Sequence, residues 1–250
     1  MSRRMSQTGI ALFTGLVLAA IWFMSIETTE VSLEAAPDAS LLYVAPGGHC
    51  GASPCYATLQ AAVDAAAAGA EIRVASGTYT NLVTRAITTP YMTGVVTQVV
   101  FISKAVTIRG GYTPANWHTS QPETNPTIVD AQGKGRPFFI QSAGFVTLEG
   151  LRITGGNGAL PHMPIVGGGG VYAVSATVTI SHCHIYSNTA WNGSALLLAD
   201  GPGSKVAENA IYANASDYGG TVLIVSSDEV VLTANRLYEN VASSEGIIGV

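Results

Sequence analysis

The sequence predicts an all-β chain in which short strands stack in parallel, coil upon coil, as a solenoid. Three observations carry this reading. Residues 177–188, TVTISHCHIYSN, return 26 residues later as GSKVAENAIYAN (203–214) and again as EVVLTANRLYEN (229–240). A fixed period of this length marks stacked repeats. The columns also keep their chemistry: Val178/Ser204/Val230, Ile180/Val206/Leu232, Ile185/Ile211/Leu237, Tyr186/Tyr212/Tyr238 and Asn188/Asn214/Asn240. Finally, apolar positions alternate with polar ones and many are β-branched, which is strand patterning, and one period leaves no room for a helix of ordinary length.

Each period then makes one coil, placed on the next at about 4.8 Å. The Asn188, Asn214 and Asn240 column falls where a strand must turn. Asparagine tolerates left-handed backbone there, and stacked asparagines can bond their neighbours above and below. Composition agrees. Charged residues are only 11% of the 250, and glycine is abundant at 28. The net charge of −5 supplies no basic footprint for nucleic acid.

The elements follow in order. Residues 1–9 contain Arg3 and Arg4, residues 10–26 are almost wholly apolar, and Glu27, Glu30 and Glu34 follow. Basic, apolar, acidic is the order of an export segment, so residues 1–26 are read as a signal peptide or an uncleaved membrane-anchor helix. Residues 27–41 read as a linker and 42–250 as the repeat domain. Residues 42–44 form a short strand. Cys50 and Cys55 flank GASP, and in an exported protein they are expected to form a disulfide. Thr58 caps a short helix with Leu59, Ala62, Val63 and Ala66 on one face and Gly69 as its stop. That helix covers the first coil, whose edge would otherwise stay open.

Residues 71–79 begin the coils with Ile72 and Val74 inward. Residues 80–96 read as a surface excursion, 98–102 and 106–108 as strands, Gly110–Gly111 as a turn, and 112–126 as a polar loop containing Trp117. Ile128 is expected inward. Val146, Leu148, Leu151 and Ile153 match Val178, Ile180, Cys183 and Ile185 at a spacing of 32. The extra residues fit the loop 157–170, and about six coils result. The last residues align with the strands at 195–198 and 221–224, so the reading leaves the domain incomplete at its C-terminal end.

The phrases YATLQAAVDAAAAGAEIRVASGTY (56–79), KAVTIRGGY (104–112), TIVDAQGKGRPFFI (127–140) and FVTLEGLRITGG (145–156) resemble the right-handed parallel β-helix family of the pectate-lyase-like kind. The resemblance covers residues 42 to 250. It implies a right-handed winding and an N-terminal capping helix. The same fold carries lyases, hydrolases, adhesins and passive surface proteins, so the function must come from a site.

A calcium-dependent lyase would need clustered carboxylates, and no outward column stacks two acids: Glu149/Ser181/Ala207/Thr233 is typical. Asp200, Asp217 and Asp228 sit at three different turn positions and read as solvated turn residues. His182 and His184 alternate about Cys183, with Glu208 in the column of His182; zinc would need a further ligand, so neither a metal nor a cofactor is expected. The tyrosine column is either a core stack or an exposed aromatic strip able to stack on sugar rings, with Trp191 on the same edge. The candidate glycan-binding residues are therefore Tyr186, Trp191, Tyr212 and Tyr238. The favoured reading is an exported or surface-anchored module, structural or polysaccharide-binding, that meets a membrane only through its N-terminal segment. A polysaccharide lyase or glycoside hydrolase is the alternative.

Overall fold

The computed structural model describes residues 40–158, 167–243 and 246–249. The segment read as signal or anchor, and most of the linker, lie outside them. Among the described residues no helix is long and apolar enough to cross a membrane.

Strands one period apart pair in parallel and in register. One inward column runs Leu42, Ile72, Ile108, Leu148, Ile180, Val206, Leu232. A second runs Tyr79, Val129, Ile153, Ile185, Ile211, Leu237. Both belong to one core cluster, buried as far as Val206 and Ile211, with Leu232 and Leu237 partly buried against it. Each fully buried aliphatic side chain contributes about 1.5–3 kcal/mol, so the columns dominate the stability of the stack. The inward residue of the strand Thr127–Asp130 is Val129, not Ile128, because Val129 is the one in register with Ile153.

The turns between strands have a consistent chemistry. His182, Glu208 and Ala234 have left-handed backbone, as do Ser187, Ala213 and Glu239. Each precedes a member of one of two ladders, Cys183/Asn209/Asn235 and Asn188/Asn214/Asn240. The left-handed residue is thus the one before the ladder position, and where that position is an asparagine its side chain holds the turn. Asn214 Oδ1 accepts from the backbone N–H and Nδ2 of Asn188, at 3.1 and 3.0 Å. Its own Nδ2 donates to the carbonyl of Ile185 at 2.9 Å and to Asn240 Oδ1 at 3.0 Å. Asn209 and Asn235 repeat the pattern. Left-handed backbone costs a non-glycine residue about 1–2 kcal/mol, and these charge-free networks offset it in the dry interior.

At the N-terminal end the strand Leu41–Val44 pairs with Ala70–Ala75 and with Cys55–Tyr56. The Cys50–Cys55 disulfide is formed. The helix Leu59–Ala65 starts at Thr58, whose hydroxyl accepts from the Ala61 N–H at 3.2 Å. It ends at Ala66, which bonds back to Ala62 and Val63. Gly69 is not its stop; its N–H serves the next coil by donating to the Ala105 carbonyl. Gln60 is buried, and its side-chain amide pairs with both backbone groups of Phe101, at 2.7 and 3.2 Å. The helix therefore presents a substitute peptide group to a strand edge.

Three loop expectations change. Residues 80–96 are not irregular: Val83–Thr89 and Met92–Ile102 form an antiparallel hairpin. Ile87 and Val96 of this hairpin pack on Phe139, Tyr172, Val174 and Leu197, the outward side of the long sheet. Its tip reaches far along the stack, where the Tyr91 hydroxyl donates to Asp200 at 2.8 Å. Gly110 and Gly111 lie inside the strand Val106–Tyr112, at a register shift opposite Arg73 and Ala75. A side chain at Gly110 would meet the Gly150 carbonyl, 2.4 Å from the position of a Cβ. Trp117, in the polar loop, is buried with Tyr43 and Tyr112 around the disulfide, its indole N–H donating to the Cys50 carbonyl at 2.8 Å.

Candidate functional site

The site forms on the outward face of the six-stranded sheet made by Gly77–Tyr79, Thr127–Asp130, Arg152–Thr154, His184–Tyr186, Ala210–Tyr212 and Arg236–Tyr238. In the last four of these strands the central residue points inward, so its two neighbours point out. One outward column is Arg152, His184, Ala210, Arg236 and the other Thr154, Tyr186, Tyr212, Tyr238. Strand parity thus holds up to the turn, and the tyrosines stand outside the core.

The tyrosine rings lie parallel. Tyr186 and Tyr212 are 5.1 Å apart between centroids and Tyr212 and Tyr238 4.9 Å, each pair within 5° of coplanar orientation. At this separation parallel rings are offset-stacked, so each ring spends part of its faces on its neighbours. Ring edges and phenol groups, rather than whole open faces, are left for a ligand. Burial and the flanking tyrosines push the Tyr212 phenol above its ordinary range. Tyr212 therefore stays protonated, as donor and acceptor, at neutral pH. The Arg236 guanidinium lies over the Tyr238 ring at 5.8 Å, and His184 meets Tyr212 edge-on at 6.3 Å.

Beside the row is a cleft of about 320 Å³ lined by Pro122, Glu123, His182, His184, Glu208 and Arg236. His182 and His184 do not alternate on one strand. His182 occupies the left-handed turn after Val171–Ser181, and His184 begins the next strand. Each consequently finds its own carboxylate: His182 Nε2 lies 2.9 Å from Glu208, and His184 Nε2 lies 3.0 Å from Glu123. Arg152 also approaches Glu123, at 3.7 Å. Between the histidines Cys183 is buried, and burial pushes its thiol up to about 12. It is an inert member of a turn ladder, its N–H donating to Asn209 Oδ1 at 2.9 Å. Among the described residues no three His, Cys, Asp or Glu side chains converge as metal ligands.

Sequence reasoning placed Tyr186, Tyr212 and Tyr238 together, and the structure brings them together. It does not add Trp191 to that row. Trp191 follows the turn at Asn188 and the strand Thr189–Ala190, in a different sheet, and its ring stacks on Tyr218 at 5.9 Å. Sequence reasoning missed Glu123. This residue belongs to a segment outside the repeat, 61 residues from its partner His184, and no periodic signal could reveal it.

Coils of short parallel strands, like residues in columns and asparagine ladders at the turns define a β-helix protein. The chain belongs to that family: the family model for the right handed beta helix region matches residues 124–248, half of its 250 residues. No curated protein and no solved structure matches it.

Proposed function

We propose that the protein is an exported or surface-anchored β-helix solenoid that binds polysaccharide along the outward face of the six-stranded sheet. The observation that carries the proposal is the Tyr186–Tyr212–Tyr238 row, with rings about one sugar unit apart along the stack and half in solvent. Tyrosine pairs an apolar body with a hydroxyl that donates and accepts, the combination a hydroxyl-rich polymer requires. Arg152, Arg236, His182 and His184 add donors beside it. Export is supported by the basic, apolar, acidic order of residues 1–34. It is supported too by the Cys50–Cys55 disulfide, a feature of oxidising compartments.

The test is Tyr212→Ala, assayed by affinity electrophoresis through gels loaded with soluble polysaccharides. Loss of a central interface tyrosine is expected to weaken binding about tenfold, while thermal unfolding stays cooperative. Unchanged retardation together with a lowered unfolding temperature would assign the row to packing alone.

One observation favours a second reading as a polysaccharide lyase or hydrolase. Glu123 and Glu208 line the same cleft, and paired carboxylates are the machinery of glycoside cleavage. Both are held by histidines, which fits a binding surface better than a free acid and base. Release of reducing ends, or of unsaturated products absorbing in the ultraviolet, by the wild type but not by Glu123→Gln would turn the choice toward the enzyme.

A further inference from the structure

We infer that the ligand of the proposed tyrosine site is a neutral, extended 1,4-linked β-pyranose ribbon, one sugar unit per coil, and that Ala210 selects it. The inference rests on the reading of Tyr186, Tyr212 and Tyr238 as the binding face. Their row sets the pitch. The rings stand 5.1 and 4.9 Å apart and within 5° of parallel, close to the strand spacing of about 4.8 Å. Because the rings cover one another's faces, they offer a ligand a file of phenol hydroxyls, one per coil. Thr154, in register with Tyr186, adds one hydroxyl on the coil before. Each hydroxyl both donates and accepts. A polymer meets every member of such a file only if it advances by one coil spacing per unit. A fully extended 1,4-linked β-pyranose chain does so. A curled α-linked glucan advances far less per unit and leaves the file after a contact or two.

The neighbouring column supplies an alternation. His184, Ala210 and Arg236 stand in register beside Tyr186, Tyr212 and Tyr238, coil by coil. Their side chains run long, short, long, and Ala210 lines the cleft of about 320 Å³. In a 1,4-linked β ribbon each unit is turned over relative to the last. One edge of the ribbon therefore presents a hydroxymethyl group and secondary hydroxyls by turns. The hydroxymethyl group of the unit at Tyr212 enters the recess over Ala210. The units on either side bring their secondary hydroxyls to His184 and Arg236.

Charge decides between a neutral and an acidic chain. His182 Nε2 lies 2.9 Å from Glu208, His184 Nε2 lies 3.0 Å from Glu123, and Arg152 lies 3.7 Å from Glu123. The Arg236 guanidinium lies over the Tyr238 ring at 5.8 Å. The charges of the site are thus matched within it. A chain with a carboxylate on every unit would set those carboxylates beside Glu123 and Glu208, which line the same cleft.

The test titrates the whole protein calorimetrically with cellohexaose, mannohexaose, xylohexaose, maltohexaose and a galacturonate hexamer. Cellohexaose or mannohexaose is expected to bind best. Xylohexaose, which lacks the hydroxymethyl groups, should bind about tenfold more weakly, and the curled and charged hexamers more weakly still. Ala210→Leu fills the recess and should remove the advantage over xylohexaose, while Ala210→Ser leaves it open and keeps that advantage. The ribbon is overturned if xylohexaose, maltohexaose or the galacturonate hexamer binds as tightly as the best of the others. It is overturned too if the advantage survives in a folded Ala210→Leu variant. Should that variant fail to fold, the wild-type ranking decides. Binding that Tyr212→Ala weakens, with no preference among the hexamers, overturns the ribbon alone. Binding by none of them, or binding that Tyr212→Ala leaves untouched, overturns the ribbon and the tyrosine site together.

Discussion

Asn214 shows what a single residue does in this fold. Its side chain bonds Asn188 and Ile185 on the preceding coil, Tyr212 on its own and Asn240 on the next, in or beside the core. Asn214→Ala leaves the Asn188 N–H without its partner in a place water does not reach, at about 1–3 kcal/mol for an unpaired group, and removes the side-chain bonds to the Ile185 carbonyl and Asn240. The expected loss of stability is about 3 kcal/mol, read from urea denaturation; a loss below about 1 kcal/mol would mean the ladder contributes little. The asparagine column was legible in the sequence because it recurs at a fixed period. The column Cys183/Asn209/Asn235 was legible as a strand bend but not as a ladder, because its first member is Cys183, whose backbone N–H, not its side chain, uses the next coil's asparagine. The left-handed positions were also invisible. They fall on His182, Glu208, Ala234, Ser187, Ala213 and Glu239, residues with no common preference, each placed just before a ladder position.

At the scale of elements, the helix and the hairpin cover surfaces that coils alone would leave bare. Gln60 completes the backbone of Phe101, and Gln60→Leu keeps much of the volume while removing both partners. It is expected to destabilise the protein by about 2–3 kcal/mol and to speed hydrogen exchange at the Phe101 amide. Wild-type protection of that amide would show that the helix covers without bonding. The helix itself was legible from Thr58 and the spacing of Leu59, Ala62, Val63 and Ala66. The hairpin was not, because its partner is the outward face of the long sheet, assumed to meet solvent. A signal was present: FFI at 138–140 and LLL at 196–198 are continuous apolar runs, and a strand buried on both faces reads that way. Phe101, Phe139 and Tyr172 stack on that outer face at 5.9 and 5.1 Å, under the hairpin.

Across the whole molecule each coil touches chiefly its neighbours, so stability is close to a sum of coil and interface terms. The buried ionisable groups set its alkaline limit. Burial raises Cys183 and Tyr172 each to about 12, and raises Tyr79 further. A folded value above the unfolded one means the native state holds its proton more tightly. That stability is complete well below pH 9, the ordinary value of the unfolded thiol, and is lost as pH rises toward 12. Arg136, lowered by burial to about 10, acts in the opposite sense above that pH. Between pH 8 and pH 10 Cys183 is the main contributor, and the denaturation free energy is expected to fall by about 1 kcal/mol. Cys183→Ala should flatten this slope even though it lowers stability overall; an equal slope in the variant would refute the assignment.

The sequence by itself determined the parallel stack, its period, the inward columns and the tyrosine row. All of these depend on residues repeating at one spacing, and repetition can be read along a chain. Only the tertiary structure decided what lies between non-repeating segments. It brought Glu123 to His184, placed Trp117 on the disulfide, set Gln60 against Phe101, and moved Trp191 from the tyrosine edge onto Tyr218. Each of these contacts joins residues whose separation follows no period, so it exists only once the coils have fixed which surfaces face each other.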